Sequence, residues 1–351
     1  MNEFRQPFIS IGITTYNRKH LLRRCLESLI RQTNDDFEVL VGNDYTQEEL
    51  SADLVGIIDS RVKFINHKEN LGERGNLNTL LNLASGKFFT WQFDDDYYAT
   101  DYIESIYKLT NKNPDLNCVF TSYKKVFDDT YYPTLSHGMA DSEELLSGRM
   151  FLRYYLDHKI RAMGFTGAYK LEHLKKIGKV EALTQESYAI FSEYLFLFHA
   201  AKEIRVGYIN RPLVFYYVHD GSWSNVNTEL EIYREAGINL IEKSLEAFRH
   251  SNLVQDIEHN TKQVVKYIFH EYSKKTAMKP SFQCLRDIQV FFDDHLAIYL
   301  AKDKKSTITM RLVLLFTRWK WSIFPIIKSK MKKILPSGVL IKLLRIHARF
   351  Q

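Results

Sequence analysis

The chain has 351 residues, 45% hydrophobic and 26% charged, an ordinary soluble composition long enough for one large domain and an appendage. Its three cysteines, Cys25, Cys118 and Cys284, lie far apart, which argues against a disulfide framework or a cysteine metal site and leads us to expect a reducing cytoplasm. Met1–Pro7 is polar and charged, so no signal peptide is expected, and no stretch reaches the ~18 apolar residues that a membrane span needs.

The net charge of +6 is unevenly spread. Residues 302–351 carry 13 Lys and Arg against the single acid Asp303, a local charge of +12 that leaves −6 for the preceding 301 residues. A mildly acidic body with an intensely basic tail suggests an adhesion device attached to a separate catalytic or binding body.

The body begins with a β-branched run, Phe8–Thr14, that reads as a first strand. His20–Gln32 places Leu21, Leu22, Cys25, Leu26, Leu29 and Ile30 on one helical face. A second strand is expected over Phe37–Gly42, a weakly patterned helix over Gln47–Val55 and a third strand over Arg61–Asn66. The helix over Glu73–Ala84 is expected to close at Gly86, a suitable residue for a left-handed C-terminal turn. Lys87–Phe93 is a fourth strand, followed by a helix over Asp101–Asn111 and a strand over Leu116–Val126. Residues 131–225 are less regular. They hold expected strands at Phe165–Tyr169, Val206–Asn210 and Leu213–Val218, helices at Leu171–Ile177 and Ser187–Lys202, and a polar loop at His219–Asn225. From Thr228 to Leu300 the pattern is helical in three segments, and Lys302–Thr307 reads as a polar linker.

Alternating strands and helices imply a doubly wound, mainly parallel sheet flanked by helices, with a C-terminal helical extension. In such a sheet ligands bind beyond the carboxyl ends of the strands. Three polar groups fall there: Thr14-Thr15-Tyr16-Asn17, Asn43-Asp44 and Asp94-Asp95-Asp96. Three consecutive carboxylates repel one another and suit a hard divalent cation, which takes oxygen ligands and bridges to substrate phosphates. The plainer alternative is that Asp96 caps the helix starting near Thr100 while its neighbours are solvated in a turn.

The motifs occur in a characteristic order. Ile9-Ser10-Ile11-Gly12-Ile13-Thr14-Thr15-Tyr16-Asn17-Arg18, Phe37–Asp44, Asn70-Leu71-Gly72 with Ala84–Phe89, and Phe93-Asp94-Asp95-Asp96 resemble the successive motifs of family 2 glycosyltransferases, which have the GT-A fold. The resemblance covers about the first 225 residues. It implies a GT-A catalytic domain over 1–225, a helical extension over 226–301 and a basic amphipathic tail over 302–351.

The resemblance further implies an inverting enzyme that moves a hexosyl or N-acetylhexosaminyl group from a nucleotide sugar, UDP-linked, to a hydroxyl of a glycan or lipid-linked glycan. Thr14, Tyr16, Asn17, Asp44, Arg74 and Asp94 would hold the nucleotide, with Tyr16 on the base. Asp95, Asp96 and His219 would serve Mn²⁺ or Mg²⁺, and Glu193 would be the catalytic base. Taken alone, Tyr16 reads as a packing aromatic, Arg74 as a surface charge, Glu193 as a solvated helix residue and His219 equally as structural. Three positions depart from the family pattern: Phe93 replaces the first aspartate of the metal motif, Asn43 precedes Asp44, and Asn76-Leu77 replaces an arginine-bearing segment near Arg74.

Two other classes are weighed. A dinucleotide-dependent oxidoreductase should carry G-x-G-x-x-G after the first strand, where this chain has Thr14–Asn17. A non-catalytic nucleotide- or glycan-binding protein on the same fold would not need Asp95 and Glu193, and both are present. Nucleic acid is not an expected partner, and a homo-oligomer is left open.

The tail interleaves Trp319, Trp321, Phe324 and aliphatic residues with its basic residues, and Pro325 and Pro336 divide it into short segments. Short basic amphipathic segments lie in bilayer interfaces, so a peripheral position at the inner face of the cytoplasmic membrane is expected; packing of these faces on the protein is the alternative. Full-length protein should therefore pellet with anionic liposomes and be released by high salt, whereas a chain ending at Lys302 should stay in solution. Equal pelleting of both would exclude membrane docking by the tail.

Overall fold

The run Ile9–Thr15 forms β1, a strand buried on both faces, as its unbroken β-branched sequence requires of a central parallel strand. Residues 6–127, 143–185, 188–219, 221–222, 229–277 and 290–300 are described by a computed structural model. The expected tail, the linker at 302–307 and most of the loop after His219 lie outside the described residues.

On one side β1 pairs in parallel with β2 (Phe37–Asn43), which pairs with β3 (Val62–Asn66); on the other it pairs with β4 (Phe88–Phe93). The chain thus winds outward from β1 and returns to its opposite side, leaving a switch point between β1 and β4. Beyond β4 the sheet is mixed. The short β8 (Ala168–Lys170) runs antiparallel between β4 and β6 (Cys118–Val126), and β9 (Val206–Tyr217) runs parallel to β6. β5 (Tyr97–Tyr98) and β7 (Glu143–Leu146) add antiparallel edges to β9.

Two apolar layers cover the sheet. Ile9, Ile11, Ile13, Val39 and Val41 pack with Leu22, Cys25, Leu26 and Leu29 of α1 (Lys19–Ile30) and with Tyr102, Ile103 and Ile106 of α4 (Tyr102–Lys112). On the other face Leu40, Phe89 and Trp91 pack with Leu77, Leu80 and Leu81 of α3 (Gly72–Leu83), Phe151 of α5 (Gly148–Leu156) and Phe196 of α7 (Glu193–Ala200). Trp91 is completely buried, makes ring contacts with Phe165 and Phe196, and donates its indole N–H to the Leu77 carbonyl at 3.1 Å. Burying a ring of this size with its polar atom satisfied pins α3, α7 and β4 to one another.

Several local expectations are revised. The helix expected over 47–55 shrinks to one turn, α2 (Ala52–Val55), because side chains claim the preceding backbone: Asn43 donates to the Glu48 carbonyl and Asn66 both donates to and accepts from Leu50. Gly86 is not a left-handed helix stop. α3 ends at Leu83, and glycine is needed at 86 because a Cβ would approach Ser10 N to 2.6 Å. The two strands expected over 206–218 are one, β9, whose pairing with β6 shifts register around Pro212, a residue with no N–H to offer. α7 starts at Glu193 because Phe191 has φ 59°, which a right-handed helix cannot contain. Residues 292–300 form a π turn and then a 3₁₀ turn in place of an α-helix.

The chain divides into two compact units, one of residues 1–226 and 235–261, the other of 227–234 and 262–351. In the first, α6 (Leu171–Ile177) follows β8, and Phe248 of α8 (Leu230–Phe248) packs edge-on against Phe198 of α7. In the second, Val264, Val265, Ile268 and Phe269 of α9 (Ile257–Ala277) are buried, and Tyr272 packs on Phe291. No helix among the described residues is long and apolar enough to cross a membrane.

Glu38 fastens the parallel half. This buried β2 residue accepts from Ser10 of β1 at 2.7 Å, from Lys63 of β3 at 2.8 Å and from the N–H and hydroxyl of Ser85 before β4. Burial pushes its pKa up, but the bonds from Lys63, Ser85 and Ser10 outweigh that and bring it down to about 2. A carboxyl lowered in the fold contributes stability above its ordinary value of 4.5, lost as pH falls toward 2. Glu38→Gln should cost about 1–3 kcal/mol at neutral pH. Thermal unfolding of the variant from pH 5 down to pH 2 should lose less stability than the wild type; parallel curves would remove Glu38 as the source of acid sensitivity.

Candidate active site

β1 and β4 end side by side at the switch point, with Thr14 paired opposite Phe93, so the residues following each strand meet. Asn17 sits at φ 52°, a left-handed conformation that asparagine tolerates, and turns the chain from β1 into α1. Its neighbour Arg18 is thereby directed back onto the carboxylates, reaching Asp94 at 3.4 Å and Asp95 at 3.1 Å.

Besides the Arg18 that Asp94 and Asp95 share, each aspartate has a partner of its own. Asp94 is buried and accepts from the Thr15 hydroxyl at 2.6 Å. Burial and then the Asp95 charge push its pKa up, against Arg18, Thr15 and the Tyr16 N–H. Asp95 Oδ2 is shared by Arg18 and by His219 Nε2, the latter at 3.1 Å. Asp96 is fully buried and accepts from the Tyr217 N–H at 2.9 Å, which ties β4 to the end of β9. Burial and the Asp95 charge drive its pKa up as well. His219 follows two residues after Tyr217 and stacks on its ring, centroids 5.0 Å apart.

The nucleotide side is built from β1 and β2. Asp44 is buried after β2, donates its own N–H to the Thr15 carbonyl and accepts from Leu71 N at 2.7 Å, tying it to the loop before α3. Tyr16 is half exposed, with its ring nearly at right angles to that of Tyr45 and the centroids 5.3 Å apart. Thr14 is partly buried and Arg74 is exposed on the first turn of α3.

Glu193 opens α7 from the other side of β4. Gly164 fixes it: a Cβ there would lie 1.9 Å from the Glu193 carbonyl oxygen, and the Gly164 N–H donates to Glu193 Oε2 at 3.2 Å. Gly164 itself is held by the Tyr169 hydroxyl on its carbonyl at 2.5 Å. Burial pushes the Glu193 carboxyl up to about 7; the Gly164 N–H opposes this and the nearby Glu73 carboxylate adds to it. A group that exchanges its proton near neutrality is suited to general base catalysis. Glu186 and Asp220, the other carboxylates near this segment in sequence, lie outside the described residues.

Asp94, Asp95 and His219 are thus brought together, joined by two residues whose roles the sequence reading left unassigned, Thr15 and Arg18. Thr15, rather than Thr14, carries the hydroxyl that reaches Asp94. Asp96 faces inward, with one oxygen on β9 and the other buried without a partner, so its geometry suits a structural tie and not a cation ligand. No group of three or more His, Cys, Asp or Glu side chains among the described residues makes a ready metal site. The adjacent Asp95 carboxylate and His219 imidazole nevertheless match the donor set of Mn²⁺, and such cations bind through few protein ligands, keeping water and phosphate for the rest.

Comparison with known proteins identifies relatives of the fold and of its N-terminal half. The model of Glycosyl transferase family 2 matches residues 10–178. EpsH of Bacillus subtilis is 27% identical over 216 residues, 61% of each chain. WfgD of Escherichia coli, a UDP-Glc:alpha-D-GlcNAc-diphosphoundecaprenol beta-1,3-glucosyltransferase, is 27% identical over 116 residues, 33% of this chain and 46% of its own. The match therefore spans less than two thirds of either relative. The crystal structure of Staphylococcus aureus TarS 1-349 in complex with UDP superposes with a TM-score of 0.55 at 15% identity, over 89% of this chain and 87% of that one, which establishes a common fold. By the order of its strand-end motifs, its mainly parallel sheet and the family match, residues 10–178 of the chain belong to the family 2 glycosyltransferases.

Proposed function

We propose that the chain transfers a hexosyl or N-acetylhexosaminyl group from a UDP-sugar, with inversion, to a hydroxyl of a glycan or lipid-linked glycan. The observation that carries this reading is the division of carboxyls at one switch point. Asp94 and Asp95 are bound to a cationic and hydroxylic cluster, and Glu193 is held apart from it at the start of α7 by the Gly164 N–H. UDP in the complex of the similarly folded TarS supports the nucleotide, and the printed activity of WfgD supports a UDP-sugar donor and a lipid diphosphate acceptor.

Tyr16 offers a half-exposed ring for the base, and Asp44 presents a carboxylate at the end of β2 for a uracil N–H. Asp94, oriented by Thr15, borders the ribose and diphosphate region. Arg18 is placed to move its guanidinium between Asp95 and an incoming phosphate, since a planar fork serves either anion. Asp95 and His219 would hold Mn²⁺ or Mg²⁺, which supplies charge compensation for the departing diphosphate. Glu193 accepts the acceptor hydroxyl's proton as the new bond forms. One base with direct attack inverts the anomeric carbon, unlike glycoside hydrolysis, where two carboxylates flank the bond. The basic tail would keep the enzyme at an anionic membrane bearing the acceptor.

Glu193→Gln keeps the shape of the side chain but cannot take the proton. Transfer should fall by ~10²–10⁴-fold while UDP binding persists. Wild-type turnover should fall as pH drops below about 7, where Glu193 becomes protonated. Near-normal turnover in the variant would reassign the base. The cation assignment is tested separately by calorimetric titration with UDP and Mn²⁺. Asp95→Ala should abolish the Mn²⁺-dependent part of UDP affinity, and unchanged affinity would reject Asp95 as a ligand.

A further inference from the structure

Glu73 is a second carboxyl on the base side of the site, and neither the motifs nor the proposed chemistry uses it. It sits in the first turn of α3, directly after the loop that Asp44 anchors. Its side chain is part-buried, and Oε2 accepts the N–H of Ala189 at 3.0 Å across 116 residues of sequence.

That bond lands on the turn leading into Glu193. The Ala189 carbonyl accepts the Ser192 N–H, the Phe191 carbonyl accepts the Tyr194 N–H, and Ser192 Oγ donates to the Glu181 carbonyl at 2.6 Å. Between these bonds Phe191 occupies a left-handed conformation at φ 59°, unusual for an aromatic residue. A backbone held there needs support from outside the turn. Glu73 supplies it at Ala189, and Gly164 supplies it at Glu193.

We propose that Glu73 is a positioning residue for the base: from α3 it holds the turn that presents Glu193 and keeps a negative charge beside it. This rests on the reading of Glu193 as base. The groups facing Glu193 are the Gly164 N–H, Glu73 from α3, Asp96 beyond β4 and the Tyr169 phenol of β8. Those facing Glu73 are the Ala189 N–H, Arg18 and Asp95. Glu73 is therefore coupled by charge both to the diphosphate end of the site and to the base. Two neighbouring carboxylates that cannot both ionise freely hold a proton more tightly, which keeps a buried glutamate competent as a base near neutral pH.

Two variants of the full-length protein separate the roles. Glu73→Gln retains an oxygen for the Ala189 N–H and removes the charge. Glu73→Ala removes both. The first readout is UDP release from UDP-glucose and UDP-GlcNAc with Mn²⁺ across pH 5–9. In Glu73→Gln the acid limb should move down by on the order of half a pH unit, a screened like-charge effect, with the plateau rate retained. In Glu73→Ala the plateau should also fall by roughly 10–10²-fold because the base is misplaced.

The second readout needs no turnover. Thermal unfolding of Glu73→Gln, Glu193→Gln and the double variant should show a coupling at pH 8, where Glu193 is ionised, that disappears at pH 5, where Glu193 is protonated. A limb that stays in place in Glu73→Gln, together with additive unfolding shifts at pH 8, overturns the proposal. Near-normal turnover in Glu193→Gln marks a different failure, that of the base itself, and the proposal falls with it.

Discussion

Three consecutive carboxylates at the end of a buried strand are the constraint on which the rest of this site depends. Side by side and removed from water, they repel each other and lose solvation, so each must have a partner of its own. Asp94 takes the Thr15 hydroxyl, Asp95 takes Arg18 and His219, and Asp96 takes the Tyr217 N–H. These partners come from the end of β1 and the loop after it, and from the end of β9 and the residues that follow. Satisfying the triplet therefore closes the two halves of the sheet around the strand ends. The same bonds that relieve the repulsion assemble the crevice.

The apolar layer beneath sets where the base can stand. Trp91 lies within β4, a few residues before the triplet, and packs on Phe165 and Phe196. Phe165 adjoins Gly164, and Phe196 lies about one turn into α7 from Glu193. One buried indole thus registers both the acidic strand end and the helix carrying Glu193. Rigid placement of this kind, through packing that reaches no substrate, is what a site requires when small displacements cost large factors in rate.

Much of this architecture was legible in the chain. Apart from α2 and β5, the strands and helices from β1 to β6 follow from apolar runs and helical periodicity, and the strand-end position of Asp94–Asp96 follows from the apolar run Lys87–Phe93. What the pattern could not show is what long-range bonds decide. Thr14 and Thr15 are adjacent and chemically alike, and only the pairing of β1 with β4 turns the Thr15 hydroxyl toward Asp94. Residues 45–50 lose their helix to Asn43 and Asn66, which end two different strands and bond the backbone of Glu48 and Leu50. The two-residue β5 is too short to have a period at all, and it exists because β9 offers it an edge. Glu73 reads as an ordinary acidic residue in a first helical turn until Ala189 is found at its end.

Two carboxyls in this fold show opposite uses of burial. Glu38 is surrounded by Lys63, Ser85 and Ser10, so it stays ionised far below neutrality and ties the parallel strands together. Glu193 receives one backbone N–H and faces another carboxylate, so its proton affinity rises to about neutral. The charged form of Glu193 is therefore a cost that the fold bears above pH 7, because the unfolded chain would release that proton near pH 4.5. Glu38, which serves the fold alone, is given donors from three residues, Ser10, Lys63 and Ser85. Withholding them from Glu193 makes sense where the carboxyl must take up a proton during turnover, and the stability given up at that position is what leaves it basic enough to do so.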